Sequence, residues 1–429
     1  MTMKTQAQPT KITSPWSYIP TLYFASAIPY VIINQVSTIF YKRMGVDNQQ
    51  IAFWTSLLSL PWVIKMFWGP LVDLNSTKRS WIVSTQFAMG CCLAWAAFYL
   101  NVPNFFFLSL AILGIGAFIS ATYDIAADGF YLLALNHEQQ AFFVGIRNLF
   151  YRLGMIFCFG FLVVFAGRLE KSLNNIPLSW TITLSLTALI LGLLFIYHRI
   201  KLPSPELQRL RRSKLPEDKI PWKEVFTSYF RQEKIGFILA FILLYRFGEA
   251  MMLKLASLFF LDKVDIGGLG LTTEDVGLVY GTFGVISLIA GGILGGLVIV
   301  KYGLKKCLFP MALALNVPDL FYVYMAYVKP SLNLVYPMVS LEQFGYGFGF
   351  TAFSVYLMYV SQGQYKTSHY AISTGIMALG VMIPGALSGF IQKAVGYPMF
   401  FVIVCLATIP GMISLLFIPL PGERGEVEA

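Results

Sequence analysis

Twelve apolar runs, each long enough to cross a bilayer as a helix and each closed off by charged or turn-forming residues, fill this chain from end to end. They lie near 17–40, 50–72, 80–100, 104–128, 141–166 and 178–199, and then near 235–261, 274–300, 307–328, 332–360, 368–392 and 397–419. A helix crosses hydrocarbon with about 20 apolar residues at 1.5 Å of rise each. So many runs can be hidden only in a very large protein core or in a membrane, and charge decides between them. Of the 429 residues 12% are charged, half of the roughly 25% in a soluble globular chain. The expected fold class is an all-α polytopic membrane protein with twelve transmembrane helices.

The one long polar interval sorts the runs six and six. It holds RRSK (211–214) and ten of the 31 Lys and Arg, between Arg199 and Lys234. The expected organisation is an N-terminal tail (1–16), a six-helix bundle (17–199), a basic linker (200–234), a second six-helix bundle (235–420) and a C-terminal tail (421–429). In the linker, Trp222, Val225, Phe226, Tyr229 and Phe230 share one helical face. That face suits a helix lying on the membrane surface or one packed on the protein itself.

The net charge of +10 does not call for nucleic acid as a partner, because basic cytoplasmic loops account for it. With both termini inside, cytoplasmic segments carry nineteen Lys and Arg, external segments seven and the spans five. Such asymmetry sets orientation, and the expected location is the cytoplasmic (inner) membrane with both termini in the cytoplasm. The leading segment MTMKTQAQPTKITSP lacks an apolar core followed by a cleavage site, so no cleaved signal is expected. Five cysteines sit in apolar stretches without a CxxC or Cys/His spacing. No metal site and no cofactor are expected.

Charge inside a span is costly and marks ion paths, solute sites or structural pairs. Ten such residues occur: Lys65, Arg147, Arg152, Arg246 and Lys254, and Asp124, Asp128, Glu249, Asp319 and Glu342. Lys65 stands in the middle of LPWVIKMFWGPLVD, where it either snorkels to the interface or faces an acid of another span, with Asp124 or Asp128 the expected partner. Asp124 and Asp128 are four residues apart and share a helix face, a spacing that suits proton coupling or pairing with the arginines of the fifth span. Arg246 and Glu249 can neutralise each other at i,i+3. Glu342 is followed by Gln343 and by Gly345, Gly347 and Gly349, a carboxylate beside helix-loosening glycines. Asp319 follows Asn316 and Pro318 and caps a break. Tyr123 and Tyr245 lie beside these charges, and an aromatic, partly cationic cavity suits a large anionic or ring-bearing solute.

Several phrases together resemble the AmpG-type permeases, the peptide–acetyl-coenzyme A branch of the major facilitator superfamily. They are LPWVIKMFWGPLVD, TYDIAADGFYLLAL, YRLG (151–154), LLYRFGEA, LEQFGYGFGF, HYAISTGIMAL and the late GY-x-x-FF (396–401), which between them cover nearly the whole chain. The resemblance implies a twelve-helix, proton-driven carrier of muropeptide-like, siderophore or coenzyme A-ester solutes. It carries over Lys65, Asp73, Asp124, Asp128, Arg152, Arg246, Glu249, Glu342 and Gln343. Ser76 and Thr77 depart from the glycine and arginine of the superfamily's cytoplasmic motif. Glu249 stands in place of an expected aspartate, and Arg246 where lysine is common. Two further C-terminal helices associated with the muropeptide permease are not seen. These departures point toward siderophore importers.

The expected function is a secondary active, proton-coupled transporter working by alternating access as a monomer, with a small-molecule solute, protons and the lipid bilayer as partners. A membrane-embedded transferase and a transporter-derived sensor are the alternatives. An enzyme would need a catalytic constellation, and His137, His198 and His369 have no such spacing. The proton-coupling candidates are Asp124, Asp128, Glu249 and Glu342. The candidates for the solute cavity are Lys65, Arg152, Arg246, Gln343, Tyr123 and Tyr245, and the gating motif is Gly69, Asp73, Lys78 and Arg79.

Overall fold

The computed structural model describes residues 14–69, 72, 76–204, 222–361 and 365–420. Among them every regular element is helical, as hydrocarbon demands: a helix satisfies its own backbone polar groups where no water can. Among the described residues nine helices are long and apolar enough to span. One of these, Ser368–Ser414, turns at Gly396 (φ 76°) and supplies the eleventh and twelfth spans. The second span is broken into Asn48–Leu57, Leu60–Ile64 and Lys65–Phe67, and the tenth is Leu332–Val360 with Glu342 inside it. With these the chain makes twelve spans, six before the linker and six after it.

Local chemistry sets the span ends. Asp47 caps the second span by accepting from Gln49 N (2.9 Å), and Thr77 caps the third. Capping boxes open the fifth span at Asn136–Gln139 and the eighth at Thr272–Asp275, satisfying donors that would otherwise be orphaned. Wide π-helical turns interrupt the fifth span at Ile156–Leu162 and the eighth at Gly277–Gly284. There the two halves meet backbone to backbone. A Cβ on Gly160 would lie 2.7 Å from Thr282 Oγ1, and one on Gly277 2.8 Å from Val164 N.

The halves are pinned together at the end away from the linker. Two buried carboxylates organise that end. Glu170 of the fifth span accepts from Arg43 Nε (2.9 Å), Trp180 Nε1 (2.8 Å) and, across the interface, Thr273 Oγ1 (2.7 Å). Asp262, closing the seventh span, is ion-paired with Lys42 of the first and accepts from Asn48 Nδ2 (2.9 Å) and Tyr397 OH (2.6 Å). Arg168 and Lys171 bind Glu274 further out (3.0 and 2.6 Å). Among the described residues no hydrogen bond or ion pair joins the halves at the linker end. The polar bridges between the halves thus gather at the end away from the linker, while Leu60–Ile64 and Lys65–Phe67 of the second span pack against the helix Lys366–Ala407 nearer the linker.

Packing corrects one expectation and decides between two open readings of the linker helix. Gly345, Gly347 and Gly349 do not loosen the tenth span. They let it press against Ala314, Leu288 and Met311 of its neighbours, where a Cβ would collide with backbone oxygens. The linker helix Trp222–Phe230 docks on the protein: Val225 and Tyr229 bury against Ile372. Tyr229 OH meets Ser373 Oγ (2.8 Å), and Ser228 Oγ meets His369 Nε2 (3.0 Å). Only Phe230 of its described aromatic residues points outward.

Removing one partner of a buried ion pair strands the other charge. Asp262→Ala is therefore expected to shift the equilibrium toward an open far end by about tenfold or more. Distances between spin labels at the exposed positions Leu173 and Val264 measure that population.

Candidate functional site

Where the two halves face each other, two walls of residues carry most of the intramembrane charge. On the first-half wall, Asp124 of the fourth span accepts from Ser26 Oγ (2.7 Å) and Trp62 Nε1 (2.9 Å), tying the first, second and fourth spans together. Lys65, near Trp62 along the broken second span, lies in the field of Asp124. Tyr30 meets Trp62 edge to face (5.1 Å) and stands within electrostatic reach of Asp124, Arg152 and, across the interface, Arg246.

On the second-half wall the seventh span breaks at Tyr245–Arg246 before resuming as Phe247–Leu261. Arg246 forks onto Glu249 (Nε to Oε2 2.7 Å, Nη2 to Oε1 3.2 Å) and donates to Tyr346 OH (2.8 Å). Its guanidinium also lies over the rings of Tyr346 (5.2 Å) and Phe350 (4.8 Å). The planar fork fits both uses at once, as a lysine could not.

Three cations remain without an acid. Lys254 donates to Thr55 Oγ1 of the other half (3.1 Å), and Arg152 Nη1 reaches the sulfur of Met155 (3.4 Å). Like Lys65, each has no carboxylate at ion-pairing distance among the described residues. The residues on these walls thus offer unpaired positive charge beside Tyr30, Trp62 and Tyr346.

Other candidates fall elsewhere. Asp128 pairs with Arg147 (3.3 Å) and accepts from Tyr23 OH (3.1 Å), half exposed at the linker end. The two aspartates thus part company, Asp128 to an arginine of the fifth span and Asp124 to neutral donors. Tyr123 and Tyr245 are corrected to core positions: their hydroxyls donate to the backbone oxygens of Leu22 and Gly349, and both are buried. Gln343 is also buried, donating to Tyr280 OH (3.1 Å) and to Glu342 (3.1 Å), which Tyr322 OH approaches as well (3.4 Å). In the gating motif, Gly69 lies in the second span with open space where a Cβ would stand, and Lys78 packs over Gly129. Arg79 donates to Arg199 O of the same half (2.5 Å). Asp73 lies outside the described residues. His198 is a buried core residue between Thr21 and Gln86.

The sequence did not single out Tyr30, Trp62 or Ser26, because their part in the site depends on Asp124, about a hundred residues or more away for two of them. Lys254 was visible as a charge, but its want of a counter-ion was not.

The sequence profile of the Major Facilitator Superfamily matches residues 21–366. The chain belongs to the Major Facilitator Superfamily. As a member it is a secondary transporter, a multi-pass membrane protein that moves a small-molecule solute. It is 25% identical over 408 residues to the anhydromuropeptide permease of Escherichia coli strain K12, covering 92% of this chain and 78% of that protein. It is 24% identical over 416 residues to AmpG 4 of Rickettsia conorii, covering 92% and 94%. The expected AmpG-type likeness is thus found along nearly the whole chain. Among solved structures its fold resembles a D-xylose–proton symporter (TM-score 0.72, 12% identity, 95% and 98% covered). It also resembles the nucleoside transporter NupG (TM-score 0.68, 13% identity, 95% and 99% covered).

The two ion pairs of this major facilitator differ in kind. Glu249 is 1% exposed and Arg246 9%, whereas Asp128 is 53% exposed and Arg147 28%. Breaking a buried pair costs about 3–5 kcal/mol and an exposed one about 0–1 kcal/mol. Glu249→Gln should accordingly lower the thermal unfolding temperature in detergent clearly more than Asp128→Asn does.

Proposed function

We propose that this transporter is a proton-coupled carrier of anhydromuropeptide-like anionic solutes in the cytoplasmic membrane, acting as a monomer with the linker and both termini in the cytoplasm. The observation that carries the reading is this group of side chains between the halves: among the described residues Arg152 and Lys254 have no carboxylate at ion-pairing distance, Lys65 stands in the field of Asp124, and Tyr30, Trp62 and Tyr346 offer ring faces. A solute with carboxylates and sugar rings supplies what those walls are missing. Likeness to the anhydromuropeptide permease supports the same solute class. The shorter overlap with that protein leaves the proposal resting on the shared spans.

In this orientation the linker end faces the cytoplasm. The first bundle (17–199) and the second (235–420) rock about the fifth and eighth spans, releasing the Glu170 and Asp262 networks as the far end opens outward. A solute bridging Arg152 of one bundle and Lys254 of the other pulls both toward itself and so couples binding to that movement. Glu249 stays neutralised by Arg246. Asp124, Asp128 and Glu342 remain as acids able to exchange protons during the cycle.

Uptake of labelled anhydromuropeptide into proteoliposomes under an imposed pH gradient tests the reading. Accumulation is expected, and failure both to accumulate the label and to dissipate the gradient would overturn it. Removing a charge that pairs with a ligand costs about 2–5 kcal/mol. Arg152→Ala and Lys254→Ala should each weaken solute affinity at least about tenfold, read as loss of solute-induced thermal stabilisation.

A further inference from the structure

One acid of the second half has no partner. Glu249 is forked by Arg246, and Glu342 takes hydrogen bonds from Gln343 and Tyr322. Asp319 is 1% exposed, and neither of its carboxylate oxygens has a hydrogen-bond partner. No cation pairs with it among the described residues. It lies in Val317–Asp319, a turn of 3₁₀ helix that breaks the ninth span where Pro318 cannot donate.

Residues three apart eclipse in such a turn, which sets Asp319 over Asn316. Asn316 Nδ2 is engaged by Ala312 O (2.8 Å) and the sulfur of Met412 (3.5 Å), while its Oδ1 is buried without a partner. One helical turn therefore holds three buried acceptor oxygens and no donor for them. Buried polar groups are ordinarily satisfied, and what would satisfy this set is a single added hydrogen. The charged and titratable groups around Asp319 do not supply one. They are Glu342 from the tenth span, Glu249 from the seventh, Cys405 from the twelfth and Tyr322 from its own, with Tyr280 of the eighth beyond Glu342.

We propose that Asp319 binds the coupling proton, held as a neutral acid whose O–H faces Asn316 Oδ1. This rests on the proton-coupled transport proposed above and moves the proton from the walls between the halves to the break in the ninth span. Proton arrival converts the carboxylate to the acid, and departure restores the anion beside Glu342. The anion then stands buried with no donor for either oxygen, a cost that movement of the ninth span can relieve, and so the proton is tied to helix position. A metal cation is disfavoured, since it needs a full shell of oxygens. Only three are unengaged here, those of Glu342 being held by Gln343 and Tyr322.

Infrared difference spectra of the purified full chain between acidic and alkaline buffer, without solute, test the site directly. A protonated-carboxyl band is expected that disappears in Asp319→Asn, persists in the exposed-loop control Asp265→Asn, and moves in frequency in Asp319→Glu. The last variant keeps an acid at the position and decides the matter if the asparagine variant misfolds. A band unchanged in both Asp319 variants overturns the proposal, as does one abolished by sodium at fixed pH. In proteoliposomes with labelled anhydromuropeptide, Asp319→Asn should lower the ratio of pH-driven accumulation to exchange about tenfold per pH unit, for one proton per solute. An unchanged ratio also overturns it. Wild-type protein that shows the band yet accumulates no label would refute the transport reading and leave the Asp319 assignment standing.

Discussion

Two buried carboxylates, Glu170 and Asp262, decide the shape of this transporter. Each comes from a different half, and each is held by donors from three or more helices. A buried anion so fully satisfied is worth keeping in place, and one stripped of its donors is expensive. Closure at the far end follows from this, and Arg152 and Lys254, both half-buried, stand where the two halves face each other. The catch is polar, so it can be undone by exchanging partners, which a wholly apolar seam would not allow.

The interface between the halves is asymmetric in its chemistry. Its first-half wall is built around one acid, Asp124, held by neutral donors, with Lys65 and Arg152 nearby. Its second-half wall spends its acid, Glu249, on fixing Arg246 against Tyr346 and Phe350. Arg246 is thus fixed and neutralised, whereas Arg152 and Lys254 have no carboxylate at ion-pairing distance among the described residues. Behind this wall the second half keeps a separate polar interior of Glu342, Gln343, Asp319 and Asn316, sealed off by packing.

How much of this was legible in the sequence follows the range of the forces involved. The spans could be read because lipid imposes one rule on every backbone, and the Arg246–Glu249 pair because its partners are three residues apart. Partnerships across spans could not. Asp124 stands in the field of Lys65 and takes its hydrogen bonds from Ser26 and Trp62, while Asp128 pairs with Arg147. Glu170 and Asp262 read as ordinary loop-end charges, since nothing local shows that a second bundle closes over them. Tyr123 and Tyr245 drew notice by standing beside charges, but a helix turns a neighbour in sequence about 100° away, and both turned into the core. The alternate glycines of the tenth span looked like slack in a helix. Their meaning lay in the backbones pressed against them.

The contact between the fifth and eighth spans differs from the catch at the far end. Around Gly160, Gly277 and Gly281 two widened helices approach until backbone meets backbone at the glycines, with the rings of Phe159 and Tyr280 packed edge to face beside them. Interdigitated side chains must unlock and repack whenever two helices turn against each other, whereas bare backbone presents a smooth track. The same seam thus carries two kinds of contact, a polar latch at the far end and a close glycine-lined approach of the fifth and eighth spans.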